Sequence, residues 1–191
     1  MSCLVTAALL ALVGCSNTQA GSAMPATSAT TADAGEEQPT PIPTTAAEYA
    51  DLWDPCHLSE SVLAGIGMDL ATREAGIADV DFSEAGWKIC QWMSTAGWYW
   101  LGIKAETAML EEVKSRTGVT DIVETSAGAR RAFQYRRSGA SHDLECSIAV
   151  EIPQGTVTFS AAARASKGAQ EDMCGVAARH TAALERFLPS K

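Results

Sequence analysis

The chain has 191 residues, with 47% hydrophobic and 19% charged residues and a net charge of −9. This length holds one domain of ordinary size, and the apolar content is too high for a wholly disordered chain. The negative charge excludes the cationic surface that nucleic acid demands, and it disfavours charge-driven docking on anionic lipid.

Residues 4–14 are apolar or small, Thr6 being the single polar member. A transmembrane helix needs about 20 such residues, so this run fits the h-region of a signal peptide instead. It ends Leu12-Val13-Gly14-Cys15, followed by Ser16-Asn17. This resembles the bacterial lipobox, an aliphatic residue and two smaller ones before the lipid-accepting cysteine. The resemblance implies a diacylglyceryl thioether on Cys15, cleavage after residue 14 and attachment to the outer face of the cell membrane. The competing reading is an ordinary secretory signal with a chance cysteine. No Lys or Arg precedes Arg73, although such signals open with one. The expectation is therefore a translation start farther upstream or a truncated sequence, with Cys3 lost in the discarded segment.

Residues 15–48 follow as a tether. The stretch is rich in Ala, Thr, Ser and Pro, including Pro25, Pro39, Pro41 and Pro43, and has no periodic apolar pattern. It buries too little to offset its ordering entropy. About 30 flexible residues span roughly 30 Å r.m.s., which lifts a domain clear of lipid headgroups.

Residues 49–191 are expected to form one α+β domain. Asp54-Pro55-Cys56 makes a tight opening turn, and Leu58-Ser59 offers a staple and an N-cap for a helix over 60–65. A Gly- and Asp-rich loop is expected next. Strands over 87–94 and 98–106 are joined at Thr95-Ala96-Gly97, a hairpin signal. A helix capped by Thr107 runs to about 117, where Gly118 stops it. Strands over 122–125 and 129–137 follow. The strongest alternation is Leu144, Cys146, Ile148, Val150 and Ile152 against Glu145, Ser147, Ala149 and Glu151, the mark of a half-buried antiparallel strand. Pro153-Gln154-Gly155 turns the chain into a strand over 156–163. The last helix covers about 171–188, with Met173, Val176, Ala177, Ala183, Leu184, Phe187 and Leu188 on its apolar stripe.

The domain thus reads as an antiparallel sheet with helices mainly on one face. Its four cysteines are Cys56, Cys90, Cys146 and Cys174. Export would keep them oxidised. Cys146 lies on the apolar face of its strand and Cys174 at the edge of the last helix's stripe, so a helix packed on that face joins them. The remaining pair is Cys56–Cys90. Each bridge closes a loop of about 30 residues, worth roughly 3–4 kcal/mol on the chain-entropy account. No Cys-x-x-Cys is present, and the wide spacings do not suit zinc.

Trp53-Asp54-Pro55-Cys56-His57-Leu58, Cys90-Gln91-Trp92, Leu144-Glu145-Cys146-Ser147-Ile148 and Asp172-Met173-Cys174 together resemble an actinobacterial lipoprotein family catalogued as domain of unknown function 3558. The resemblance covers about residues 50–188, with Met173 standing where the family often has Pro. It implies an exported protein of a mycolic-acid-bearing actinobacterium and supplies no reaction and no catalytic residue.

Ser141-His142-Asp143 lists triad residue types, but neighbours on an extended strand face opposite ways, so a polar turn is the better account. His180 falls on the last helix's apolar stripe as a hydrogen-bonded boundary histidine, and His57 has only Asp54 at metal-ligand spacing. Glu111-Glu112 and Glu171-Asp172 read as solvated or helix-terminal charges. No metal, cofactor or catalytic group is assigned. Four of the five tryptophans lie within residues 87–100. Alternation puts Tyr99, Leu101 and Ile103 toward the core, and Trp98 and Trp100 on the opposite face. Arg130 and Arg136 point outward from a strand whose Phe133 and Tyr135 face the core. Aromatics beside arginines stack on glycans or grip anionic ligands, so Trp98, Trp100, Arg130 and Arg136 form the candidate ligand surface; the competing reading, which the sequence favours, is that a loop or the chain start covers these tryptophans. The expected role is a non-enzymatic binding module of the cell envelope, with an unidentified ligand or protein partner. The alternative is an envelope hydrolase, which needs a convergent acid, base or nucleophile.

Overall fold

In the computed structural model the described residues are 52–190, residue 79 excepted. The stretches read from sequence as a signal peptide and a tether, and Cys15 between them, therefore lie outside the described residues. The chain from Leu52 builds strands β1 (Met68–Ala75), β2 (Trp87–Ser94), β3 (Tyr99–Glu106), β4 (Val119–Ala127), β5 (Arg130–Arg137), β6 (Glu145–Ile152) and β7 (Gly155–Ala163). Three helices accompany them: α1 (Glu60–Gly65), α2 (Leu110–Ser115) and α3 (Met173–Leu184). The strands form one open sheet in the order β1-β2-β3-β7-β6-β5-β4, antiparallel throughout. The expected α+β domain is thus the observed one.

β1 occupies the stretch read from sequence as a loop. Its Met-Asp-Leu-Ala-Thr-Arg-Glu-Ala composition is poor in β-branched and aromatic residues, so propensity argues against a strand. Pairing with β2 overrides that preference, with a register irregularity between Asp69 and Glu74. The signal was the weak alternation Met68, Leu70, Thr72. Helix α2 starts at Leu110, later than its expected Thr107 cap, because Glu112 Oε2 accepts from the Met109 backbone N–H at 2.6 Å. The last helix is trimmed at both ends. Asp172 caps it by accepting from Gly175 N–H at 2.8 Å, and residues Glu185–Phe187 tighten into a 3₁₀ turn.

Helix α3 packs on β6 and β7, and α1 with the opening 3₁₀ turn Pro55–His57 packs on the β1–β3 end. They share one face of the sheet. The main core lies there and includes Trp92, Leu101, Ile103, Cys146, Ile148, Phe159, Met173 and Val176. Two disulfides, Cys56–Cys90 and Cys146–Cys174, tie that cover to the sheet with the expected pairing. Helix α2 sits on the opposite face, over β4, β6 and β7. It buries Leu110 and Val113 against Phe133, Tyr135 and Ala149 in a second, smaller cluster. The helices are mainly, not wholly, on one face.

Candidate functional site

The four proposed ligand residues do not meet. Trp100 pairs across to Ala162, and Ala162 to Glu145. Gly102, Ser160, Ser147 and Tyr135 follow in register, so Trp100 and Tyr135 share the α2 face. Arg136 and Arg130 alternate with Tyr135 and fall on the α3 face. Arg136 approaches the helix cap Asp172 at 3.6 Å and donates to the carbonyls of His142 and Glu145. Arg130 donates to the carbonyls of Leu188 and Pro189, at 3.3 and 2.6 Å. The two arginines clamp the two ends of the segment that contains α3. Their work is structural because both faces of β5 are packed, each against a different helix.

Trp98 is corrected as well. It precedes β3 and is 5% exposed, with its ring edge-on to Tyr99 at 4.6 Å in the main core. Strand alternation does not reach a residue that lies outside the strand. Trp100 is half-buried on the face away from α3, as its alternation required. Arg164 lies close by, donating to the Gly97 carbonyl at 3.0 Å and touching Met93 Sδ at 4.0 Å.

Along that same face, Lys104 and Glu106 continue from Trp100 and Gly102. Glu106 is fully buried. Its carboxylate meets Lys104 Nζ at 2.7 Å and Arg116 Nη2, just beyond α2, at 2.6 Å. Lys104 Nζ also stands 5.1 Å over the Trp87 ring. Burial pulls the Lys104 ammonium below its ordinary pKa, and Glu106 opposes that shift. Gly155 makes this arrangement possible. It turns β6 into β7 at φ +142° against the end of β3, where a Cβ would overlap the Glu106 carbonyl.

Above the buried carboxylate opens a cleft of about 380 Å³, lined by Lys104, Arg116, Arg137, Tyr135, Thr117 and Ser138 among others. Among the described residues no carboxylate lines it. Glu145 approaches it from the side, 3.6 Å from Arg137 Nε. Tyr135 is 3% exposed, and burial raises its phenol pKa, so it stays a neutral donor. The sequence does carry a trace of this cluster: a Lys-x-Glu pair on one face of a central strand. It was missed because Arg116 and Arg137 join it only through the fold.

A second cleft of about 390 Å³, beside Cys56, mixes Asp54, His57, Arg73, Asp81 and Lys88. Its two carboxylates, Asp54 and Asp81, equal in number its two cations, Arg73 and Lys88. His142 lies in a turn within 3.1 Å of Asp143 Oδ1 and 3.4 Å of Asp121 Oδ2, so these neighbours do meet, and all three side chains are exposed. Ser141 supplies only its backbone carbonyl to Leu144 N–H. His180 is 2% exposed, with Nε2 at 2.8 Å from the Tyr99 hydroxyl, and burial lowers its pKa to about 4. Among the described residues no cluster of His, Cys, Asp and Glu is spaced to hold a metal, and no helix is long and apolar enough to cross a membrane. Nothing in these groupings points to catalysis.

Neither the curated proteins nor the solved structures hold a match to this chain. The sequence model described as "Protein of unknown function (DUF3558)" matches residues 10–186, and the chain belongs to that family.

Proposed function

We propose that the protein is an extracytoplasmic lipoprotein, held at the cell membrane through Cys15, whose domain is a non-enzymatic binding module for a ligand or partner of the envelope. The observation that carries the binding role is the unequal cover of the sheet. Among the described residues helix α2 covers only the β4–β7 side of its face, and no described helix lies over the half-buried Trp100, Met93, Gly102, Ser160 and Ala162. Small residues along β3 and β7 let a ligand approach the backbone, and Trp100 offers a ring to stack on. Two disulfides support an oxidising compartment. The Leu12-Val13-Gly14-Cys15 motif supports the anchor, and the family match begins at residue 10, ahead of that cysteine. Two or three acyl chains hold a protein stably where one does not.

Expression of the chain behind a complete lipoprotein signal, with and without Cys15→Ala, tests the anchor by acyl labelling and fractionation. The variant loses its acyl chains and leaves the membrane fraction; unchanged acylation refutes the anchor. Mass spectrometry of the lipids, glycans and proteins retained by the purified native lipoprotein tests the binding role. A retained species that is lost in Trp100→Ala supports it, and retention of nothing refutes it.

A further inference from the structure

We propose that the cleft walled by Lys104, Arg116 and Arg137 is a binding site for a phosphoryl-type oxyanion. The inference rests on the binding-module reading of the domain but not on the anchor at Cys15. A purely internal ion pair would need one cation to neutralise the buried Glu106. Two are in contact with it, Lys104 at 2.7 Å and Arg116 at 2.6 Å. Arg137 adds a third cation to the cleft wall, and its side chain is 57% exposed. Three cations against Glu106 and Glu145 leave one positive charge in excess. That excess sits in a chain of net charge −9, whose acidic surface elsewhere repels anions.

The geometry also selects among anions. Glu106 uses Oε2 on one terminal nitrogen of Arg116, and Glu145 approaches Arg137 at Nε, so each guanidinium keeps donors free for the cleft. Two guanidinium forks and an ammonium match the several oxygens of a phosphoryl group better than they match a halide. Ser138 and Thr117, which line the same wall, carry hydroxyl groups able to act as neutral donors. Buried Glu106 holds Lys104 and Arg116 in place before a ligand arrives, so little side-chain entropy is lost on binding. The cleft of about 380 Å³ exceeds a bare phosphate and leaves room for the group that carries it. On the same sheet face, Gly102 and Trp100 continue along β3 from Lys104, a path for the remainder of such a ligand.

The test uses the purified full chain at low ionic strength with two probes: inorganic phosphate, and dihexanoylphosphatidylglycerol below its micellar concentration. Saturable binding is followed by calorimetry and by phosphorus NMR. Loss of one charge-assisted contact in Arg137→Gln is expected to weaken binding about tenfold. Arg116→Lys, which keeps the charge beside Glu106 but removes the fork, weakens it less. Arg131→Gln, a cation on the far side of α2 paired with Glu111, leaves it within about twofold. Tighter binding of phosphate identifies a free phosphate or monoester as the ligand type, and tighter binding of the lipid identifies a headgroup. If neither probe saturates, or if Arg137→Gln and Arg116→Lys bind as the wild type does, the site is overturned. A native protein that still retains a Trp100-dependent ligand would then keep the binding-module reading intact. Phosphate binding by a protein that retains nothing from its envelope would do the reverse.

Discussion

The two faces of the one sheet obey different rules. On the α3 face every alternate residue of β3 is apolar and buried: Tyr99, Leu101, Ile103 and Ala105. On the α2 face the same strand carries Trp100, Gly102, Lys104 and Glu106. The first face is closed by the longest helix, a second short helix and two disulfides. Among the described residues the second is closed over β4–β7 alone; there Glu106 is buried against Lys104 and Arg116, and the buried Thr158 Oγ1 has no hydrogen-bond partner. The comparison teaches where this fold keeps its stability and where it keeps its chemistry. Shape complementarity fills the α3 face, while the α2 face holds a buried charge that only a specific geometry tolerates.

The largest test of that contrast uses neighbours on β7. Phe159 is fully buried on the α3 face. Phe159→Ala is expected to cost about 4 kcal/mol in chemical unfolding, from lost transfer energy and the cavity left behind. Ser160, one residue on and on the other face, bonds Ser147 at 2.8 Å. Ser160→Ala is expected to cost about 1 kcal/mol, one hydrogen bond. Similar costs for the two would erase the distinction between the faces.

What the sequence revealed follows the same division. The α3 face was legible because Cys146, Ile148, Val150 and Ile152 share one face of β6 and the apolar stripe of α3 locates Cys174. Both disulfides followed from that. The α2 face was not, because its burial is split between a helix-covered half and an open half. Phe133 and Tyr135 on β5 were correctly seen as core, yet they serve the second cluster, which reverses the direction of Arg130 and Arg136. No local pattern distinguishes one core from two. Ion pairing with Glu106 likewise joins residues from β3 and from the chain just after α2, a relation without sequence periodicity.

A second test reads the α3 face through pH. His180 stands in that core, with the Tyr99 hydroxyl on Nε2 and Arg179 and Glu171 as its charged neighbours. Burial is the main cause of its lowered pKa, with Arg179 adding to it. The unfolded imidazole titrates near 6.5 and the folded one at about 4. Between those values the unfolded chain binds the extra proton, so stability falls as pH is lowered from about 7 to 4, by about 3 kcal/mol in all. Glu171, whose carboxyl Arg179 holds below its usual pKa, contributes only at the acid end of that window. Urea unfolding across the window checks this in wild type and His180→Gln. The variant should lose most of the slope above pH 5, and an unchanged slope would mean that His180 is not the group that titrates.

The smallest expected effect makes the sharpest comparison, because it sets two adjacent residues of β3 against each other. Leu101 is fully buried beneath the α3 cover, and Trp100 is half-buried on the open face. By volume alone, truncating tryptophan should cost more than truncating leucine. By position it should cost less, because atoms that already face solvent lose little transfer energy and leave no closed cavity. Leu101→Ala is therefore expected to cost about 3 kcal/mol and Trp100→Ala about 1 kcal/mol, the range of a surface change. Thermal and chemical unfolding of the pair decide the order. If Trp100→Ala proves the costlier, the ring is core, both faces are closed, and the surface proposed for ligand binding shrinks to the cationic cleft. If the order holds, the Trp100 ring contributes little to stability, and the half-buried face of β3 keeps an aromatic surface that folding does not need.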